Sequence, residues 1–244
     1  MVTVRHYGQA GTMYHEPALV LFQTQWQLHR KAVEHNYLFH DEAYSCLHRV
    51  LVDEAAQPFR FLDVACGDAS ATVQALRGTR VASYQGIDLS QPALELASEA
   101  LGQLACPVTL HRRDLVEALN DHPEPVDVVW IGLALHHFPT PMKLTIMRQV
   151  RTIVSDQGLF LIYESASPDG EDRDGWLDRW DAQKPRWTAF THDEWEAGRA
   201  HVHASDFPET TSGWCALGRE AGFRQVRELF VAPTNLLRLY CFRG

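Results

Sequence analysis

Three acidic residues that follow short apolar runs have the spacing of a ligand-binding site. Asp63 is the next-to-last residue of the run RFLDV, which is followed by the small turn residues ACGDAS, including Gly67. Asp88 ends a second run 25 positions later, where a carboxylate can accept hydrogen bonds from ribose hydroxyls. Asp114 follows a third run and could accept a hydrogen bond from the amino edge of adenine. Together these residues predict a nucleoside-type cofactor at one edge of an α/β sheet.

The first turn excludes two common nucleotide-binding loops. A dinucleotide loop needs further glycines after Gly67, and a Walker A loop needs Gly-Lys-Ser/Thr, and neither pattern follows here. A bound pyrophosphate is therefore disfavoured, whereas Asp63 without a phosphate clamp suits a cofactor with a positive amino group. Small residues in the turn let that cofactor approach the backbone N–H groups and the following helix N-terminus.

Alternating strands and helices are expected to position these acids. The strand candidates are 60–65, 81–87, 107–112, 125–132 and 157–164, and the helices fall near 69–77, 91–102 and 140–154. This alternation predicts βαβ units and a parallel sheet. After them, 209–222 is predicted as a helix, and 223–231 and 235–242 as two antiparallel strands.

Two further segments are expected to form a cap. Residues 1–55 are predicted to be helical, with Asp41 as the N-cap of a second helix. Residues 165–208 are too long for an ordinary connection and carry four tryptophans, which are expected to form a small core. The chain is predicted to have four parts. They are an N-terminal helical cap (1–55), an α/β core (56–164), a cap insertion (165–208), and a C-terminal helix and strand pair that completes the core (209–244).

Composition limits the partners. The 244 residues carry a formal net charge of −9 and no Lys/Arg block, so nucleic acid is not expected. Five scattered cysteines without a CxxC spacing argue against a disulfide framework or a structural zinc site. We see neither a signal pattern nor an apolar run of the ~20 residues that span a bilayer. A cytoplasmic monomer or homodimer without a membrane partner is expected.

In their order and spacing, four motifs resemble those of the class I S-adenosylmethionine-dependent methyltransferases, over roughly residues 58–165. LDVACGDA resembles the family's first motif, GIDLS its ribose-binding acid, RRDL its adenine-side acid and ALHHF its fourth-strand motif. The resemblance implies an α/β fold: a Rossmann-like, doubly wound, mostly parallel seven-stranded sheet with an antiparallel last strand, plus the cap. It implies S-adenosyl-L-methionine as cofactor and S-adenosyl-L-homocysteine as product. The implied cofactor contacts are Asp63, Ala65, Gly67, Ala69, Asp88, Leu89, Asp114, Leu115, Gly132 and Leu133.

Two positions depart from the family pattern. Ala69 stands where the first motif usually ends in glycine, and DQG at 156–158 replaces a more usual Pro-Gly-Gly. The methyl group of Ala69 could tighten or displace the methionine end of the cofactor. It is expected to be tolerated only if Ala69 keeps φ below zero.

The implied reaction is in-line attack by an O, N or S lone pair of a small molecule on the sulfonium methyl group. His136 and His137 are the candidate catalytic bases, because imidazole titrates near neutrality. The alternative is that they are packed histidines that only shape the pocket. Aromatic or basic residues of the cap are the candidate acceptor contacts: Tyr14, Tyr37, His40, Trp187, Arg186 and Arg199.

Other functions stay open. His201 and His203 with Asp206 could imitate a metal site, but no third cluster complements them, so no metal is expected. The layout, including the C-terminal REAGF helix, also resembles carboxy-S-adenosylmethionine synthases of tRNA modification, which act on the cofactor itself. A second alternative is a cofactor-binding fold without catalysis that serves as a partner subunit.

Overall fold

Strands and helices alternate along residues 2–6, 27–122 and 124–244, the part of the chain that the computed structural model describes. The strands are β1 (Val2–His6), β2 (Phe59–Val64), β3 (Val81–Asp88), β4 (Val108–Arg112), β5 (Val126–Gly132), β6 (Val154–Ser167), β7 (Glu209–Thr210), β8 (Gln225–Val231) and β9 (Leu237–Arg243). The helices are α1 (His40–Asp53), α2 (Ser70–Leu76), α3 (Gln91–Leu101), α4 (Leu115–Asn120), α5 (Thr140–Ile153), α6 (Arg173–Asp181), α7 (His192–Ser205) and α8 (Thr211–Glu220). A further helical stretch covers 27–34.

These strands form one mostly parallel sheet. Its order is β1-β4-β3-β2-β5-β6-β9-β8, and β7 pairs with β6. Strand β9 runs antiparallel to both β6 and β8. The predicted Rossmann-like α/β fold is confirmed, but the described residues contain nine strands rather than seven. The two additional strands, β1 and β7, are short.

The start of the chain corrects the prediction that 1–55 is helical. Residues Val2–His6 form β1, which pairs in parallel with β4 at the sheet edge. The β-branched residues at its start favour extended structure, and the adjacent strand supplies the hydrogen-bond partners. Helix α1 begins at His40 after Phe39, whose φ is 53°. Asp41 therefore lies in the first turn of α1 rather than at its N-cap.

Consecutive residues of the central strands alternate between two apolar layers. Phe61 and Val128 face a layer formed with α1, α2, α3 and the tryptophans of the insertion. Leu62 and Val129 face the layer formed with α4, α5 and α8. Because both faces of the sheet are covered, these strands are mostly apolar instead of alternating between apolar and polar residues. This packing holds the carboxyl ends of β2 and β5 in place.

The insertion packs against the N-terminal segment. Its four tryptophans are all nine-tenths buried or more and form the predicted small core, with Trp180 and Trp187 rings 5.3 Å apart. The ring of Tyr37 stacks on Trp187 at 5.0 Å, and Lys31 pairs with Glu194 of α7 at 2.7 Å. The helical stretch 27–34 and helices α6 and α7 therefore build one cap.

Candidate functional site

The candidate site lies where the strand order reverses. Strand β2 has β3 on one side and β5 on the other, and open α/β sheets bind ligands beyond the carboxyl ends of strands at such a switch point. Asp63 is the penultimate residue of β2, Asp88 the last of β3 and Gly132 the last of β5. The sheet thus brings the predicted residues of three separate motifs to one edge.

The loop after β2 is held in an unusual backbone conformation. Ala65, Gly67 and Ala69 all have positive φ, at 57°, 55° and 54°. The expectation that Ala69 needs φ below zero is therefore wrong. An alanine in this region is strained by roughly 1–2 kcal/mol because its Cβ approaches the following carbonyl oxygen. The surrounding helix and strands impose the conformation in spite of that strain.

This strain leads to a prediction about two alanines in the same segment. We expect Ala69→Gly to raise the free energy of unfolding by up to about 1 kcal/mol, because glycine adopts positive φ without strain. The matched control Ala71→Gly, inside α2, should lower it by about 0.5–1 kcal/mol. Denaturant unfolding of both variants measures the difference. Destabilisation of equal size at the two positions would contradict the strained geometry of the loop.

Asp88 ties the cofactor loop to the neighbouring strand. Its carboxylate accepts hydrogen bonds from the N–H of Gly67 at 2.9 Å and from the N–H of Ser90 at 2.8 Å. Burial raises the pKa of Asp88, although these backbone hydrogen bonds oppose the shift. The neighbouring Leu89 side chain is 42% exposed, which leaves an apolar surface next to the acid. Asp88 therefore has a structural role in addition to its predicted contact with ribose.

Asp63 is a buried acid below the loop. Asp63 is 2% exposed, and the Tyr84 hydroxyl donates a hydrogen bond to its carboxylate at 2.7 Å. The pKa of Asp63 is raised to about 7, mainly by burial. Hydrogen bonds from Tyr84 and Thr72 lower it, and the nearby charge of Asp88 raises it further. A cationic group beside Asp63 would lower that pKa again, because an opposite charge favours the ionised carboxylate.

The raised pKa predicts how stability depends on pH. The folded state keeps the Asp63 proton up to about pH 7, whereas the unfolded state loses it near 3.8. Between these values the folded state binds more protons, so the contribution of Asp63 to stability falls as pH rises. The Asp63→Asn variant lacks this titration. Denaturant unfolding from pH 4.5 to 8 should therefore show the variant gaining stability relative to the natural protein, and a constant difference would contradict the shift.

The remaining predicted cofactor residues lie at the ends of β4 and β5. Asp114 caps α4 by accepting hydrogen bonds from two backbone N–H groups, and its contact with adenine stays a prediction. Leu115 packs against the second apolar layer. At Gly132 a Cβ would lie 3.2 Å from the Tyr44 hydroxyl, so any larger residue there would require neighbouring side chains to shift. Leu133 has a φ of 53°.

Glu164 near the end of β6 is a residue that sequence analysis missed. It is fully buried, and its carboxylate accepts hydrogen bonds from the N–H groups of Ala134 at 2.9 Å, Leu135 at 2.7 Å and His136 at 3.2 Å. It also accepts one from His136 Nδ1 at 2.7 Å. Glu164 therefore shapes the turn that carries both predicted histidines. An acid at the end of the apolar run LFLIYE was the available signal.

The two predicted catalytic histidines have different surroundings. His136 is buried, and its Nε2 atom lies 3.7 Å from Asp206 Oδ2. Burial opposes a charge on His136, but the carboxylates of Asp206 and Glu164 outweigh it and raise its pKa. The His137 side chain is 39% exposed, and its Nδ1 atom lies 3.4 Å from Asp206 Oδ1. His137 is therefore the one of the two that solvent reaches.

The histidines of α7 separate from each other. His201 lies near His137, with ring centroids 5.3 Å apart, whereas His203 contacts Asp181 at 3.1 Å. The trio of His201, His203 and Asp206 is therefore not assembled. Asp206 instead faces the histidine pair that follows β5.

The candidate acceptor contacts of the cap are mostly engaged with other residues. Trp187 is 9% exposed within the tryptophan core, and the Tyr37 hydroxyl accepts a hydrogen bond from Ala189 N–H at 2.9 Å. Arg199 pairs with Asp181 at 2.7 Å, and the Arg186 guanidinium lies 5.5 Å from the Phe39 ring. Tyr14 lies outside the described residues.

His40 differs from those contacts, because its Nδ1 atom is buried without a hydrogen-bond partner among the described residues. Burial lowers the pKa of His40 to about 3, and its ring stacks on Tyr44 at 5.6 Å. Both residues border a cleft of ≈ 830 Å³ between α1 and α2, which reaches Ser70 at the end of the cofactor loop.

The site fits the cofactor implied by the sequence. A Cβ built on Gly67 would meet no atom of the described residues within 4 Å, so these residues leave space over the loop for a ligand that approaches the main chain. Asp63 supplies a buried carboxylate suited to an ammonium group, and Asp88 a carboxylate suited to hydroxyl donors. An ammonium group and ribose hydroxyls are the groups that an amino-acid nucleoside presents, whereas a nucleotide would also present a phosphate.

Comparison with known proteins finds a methyltransferase domain within the chain. Residues 61–158 match the profile of a family described as "Methyltransferase domain". This stretch contains Asp63, Gly67, Asp88 and the histidine pair 136–137. Over these residues the match agrees with the predicted resemblance to class I S-adenosylmethionine-dependent methyltransferases and with S-adenosylmethionine as the cofactor.

Solved methyltransferases share the fold at low sequence identity. The plantazolicin methyltransferase in complex with SAH has a TM-score of 0.62 and 14% identity, with 95% of this chain and 91% of that chain covered. Magnesium protoporphyrin IX methyltransferase from Synechocystis PCC 6803, with bound SAM, has a TM-score of 0.54 and 12% identity, with coverage of 98% and 88%. At these identities the similarity concerns the fold.

A curated relative aligns over a shorter stretch. Carboxy-S-adenosyl-L-methionine synthase 1 of Yersinia pseudotuberculosis serotype IB (strain PB1/+) is 26% identical over 116 residues. The alignment covers 46% of this chain and 48% of that protein, so the chain spans about half the length of the relative it matches. Among the described residues, no helix has the length and apolar character needed to cross a membrane.

Proposed function

We propose that this protein transfers a methyl group from S-adenosylmethionine to an O, N or S atom of a small molecule. The observation that carries this proposal is the pair of acids, Asp63 and Asp88, on either side of an open loop at Gly67. In this assignment Asp63 accepts hydrogen bonds from the cofactor's ammonium group and Asp88 from its ribose hydroxyls.

The chemistry required of the chain is modest. S-adenosylmethionine supplies an electrophilic methyl group on a cationic sulfur, which becomes neutral on transfer and needs no acid. The residues of the site therefore act mostly by positioning the acceptor and excluding water. A base is required only where the acceptor atom must lose a proton. Of the two predicted bases, the partly exposed His137 is the one within reach of an acceptor.

A small acceptor is favoured by the cap. The helical stretch 27–34, α6 and α7 pack together through the tryptophan core. The cleft of ≈ 830 Å³ beside the loop is within the usual size of small-molecule sites, roughly 300–1,000 Å³. Its polar and aromatic borders, including His40 and Tyr44, can both bind and orient such a molecule. A cytoplasmic location and a monomeric or homodimeric state remain predictions from the sequence.

Two measurements test the proposal. Calorimetry should show one molecule of S-adenosylmethionine bound per chain, and radiolabelled cofactor incubated with a panel of small hydroxyl, amine and thiol compounds should yield a labelled product. Absence of cofactor binding would contradict the site assignment. Binding with transfer to proteins or nucleic acid but to no small molecule would contradict the acceptor class.

A second candidate function is that of a carboxy-S-adenosylmethionine synthase, which the similarity to the Yersinia protein favours. That reading requires an arginine for the added carboxylate, and Arg199 is already paired with Asp181. Mass spectrometry of the cofactor that co-purifies with the protein separates the two functions. Carboxylated cofactor would favour the synthase, whereas S-adenosylmethionine or S-adenosylhomocysteine would favour the methyltransferase. Binding without any turnover would favour a non-catalytic partner subunit.

A further inference from the structure

We propose that His136, His137 and Asp206 form a binding site for a divalent transition-metal ion such as Zn²⁺. One ligand atom from each of the three residues lies within 4.8 Å of the others. His136 and His137 come from the turn after β5, and Asp206 follows α7 at the edge of the cap. This site differs from the trio of His201, His203 and Asp206 considered from the sequence.

The distances within the cluster suit metal ligands better than hydrogen-bond partners. His136 Nε2 lies 3.7 Å from Asp206 Oδ2, and His137 Nδ1 lies 3.4 Å from Asp206 Oδ1. Hydrogen bonds from nitrogen to oxygen normally span about 2.7–3.2 Å. Two ligands bound about 2.0–2.1 Å from a tetrahedral zinc ion are separated by about 3.4 Å. The spacing therefore leaves room for a shared cation.

The tautomer of His136 supports the same conclusion. Its Nδ1 atom donates a hydrogen bond to the Glu164 carboxylate at 2.7 Å. In the neutral ring, Nε2 then carries a lone pair that faces the negatively charged Asp206. A positive charge between these two atoms, either a proton on the ring or a bound metal ion, removes their repulsion. A carboxylate that holds the second nitrogen of a histidine ligand is also the usual support of a zinc-bound imidazole, and Glu164 occupies that position.

Asp206 provides an independent observation. The residue is 5% exposed, and its Oδ1 atom is buried without a hydrogen-bond partner among the described residues. An ionised carboxylate in such a position normally has hydrogen bonds or a metal ion to compensate for lost solvation. The nearest polar groups are the His136 and His137 nitrogens, 3.7 and 3.4 Å from the carboxylate oxygens, and this spacing leaves a position for a cation between them.

The donor set indicates the kind of metal. Two imidazoles and one carboxylate suit zinc, iron or other transition metals rather than magnesium or calcium, which prefer oxygen ligands. Three protein ligands leave at least one position open for water or for an oxygen of another molecule. His137 is 39% exposed as a side chain, so this position can be reached from solvent.

Metal titration of the full-length protein tests the inference without any methyl acceptor or cofactor. Protein without an affinity tag is treated with a chelator, desalted and titrated with Zn²⁺, and bound zinc is measured after gel filtration. We expect one equivalent to be retained per chain. No stoichiometric retention would overturn the inference whether or not the protein binds S-adenosylmethionine.

Variants then locate the ion. Asp206→Asn and His137→Ala should each raise the dissociation constant for Zn²⁺ at least about tenfold, as ligand losses do. His203→Ala is the matched control on α7, because His203 contacts Asp181 instead of the cluster. The zinc affinity of this variant should be unchanged. Thermal melting checks that each variant folds. If Asp206→Asn does not fold, the zinc affinity of His137→Ala decides the test. Unchanged zinc affinity in the folded variants, or equal loss in the control, would assign the zinc to scattered surface histidines.

Discussion

Replacing Glu164 with alanine should lower the free energy of unfolding by about 3–5 kcal/mol. The Glu164 carboxylate is fully buried and accepts three backbone hydrogen bonds and one from His136. Its removal leaves these four donors unpaired inside the protein, and breaking a buried, hydrogen-bonded pair in this way is strongly destabilising. Denaturant unfolding at pH 7 measures the loss.

Two comparisons sharpen this prediction. Glu164→Gln keeps the size of the side chain and one carbonyl acceptor, so it should lower the free energy of unfolding by less than the alanine variant does. Glu220→Ala removes an exposed glutamate paired with Arg148, with both side chains more than half exposed, and should change stability by less than about 1 kcal/mol. Equal effects at positions 164 and 220 would show that Glu164 does not organise the turn after β5.

Asp88→Ala should weaken S-adenosylmethionine binding about 100-fold. A carboxylate that accepts hydrogen bonds from a ligand contributes about 1.5–3 kcal/mol, and Asp88 also holds the Gly67 N–H at 2.9 Å. The substitution therefore removes a ligand contact and releases the loop on which the ligand lies. From the sequence alone we expect the fold to stay intact. The structure adds a modest loss of stability, because two backbone N–H groups lose their acceptor.

Calorimetry with S-adenosylmethionine measures the change in affinity. Asp121→Ala is the control, because the Asp121 side chain is 58% exposed and pairs with Arg113. The affinity of this variant for the cofactor should match that of the natural protein. Asp88→Asn retains one oxygen acceptor and should give an intermediate affinity. If Asp88→Ala binds the cofactor as tightly as the natural protein, Asp88 is not the ribose-binding acid and the site must lie elsewhere.

The sheet and its ligand edge could be predicted because they depend on local patterns. The run RFLDV places Phe61 on one face and Leu62 and Val64 on the other, as expected of a strand between two helical layers, and small residues follow it in the turn. The order of Asp63, Asp88 and Asp114 then follows from the connections of a parallel sheet. Strand β1 was not predictable in the same way, because five residues at a sheet edge take their structure from pairing with β4.

Backbone conformation and side-chain pairing depend on the assembled fold. Ala69 is compatible with negative φ by residue type, yet the junction of β2 and α2 holds it at 54°. Asp206 and His137 are 69 residues apart in the sequence, and their approach requires the cap to lie against the turn after β5. Glu164 ends the apolar run LFLIYE, but only its burial beneath the turn after β5 shows what it binds.

The sequence by itself therefore determined the α/β architecture and the methyltransferase motifs within residues 61–158, since these depend on periodicity and on motifs within short segments. The cofactor contacts of Asp63 and Asp88 stay predictions. The tertiary structure decided which acids are also structural, how the two histidines differ and where Asp206 lies. Burial sets the charge state of Asp63, and contacts across 69 positions of chain create the histidine and aspartate cluster. Such properties arise only when distant segments exclude water together, and no local pattern encodes them.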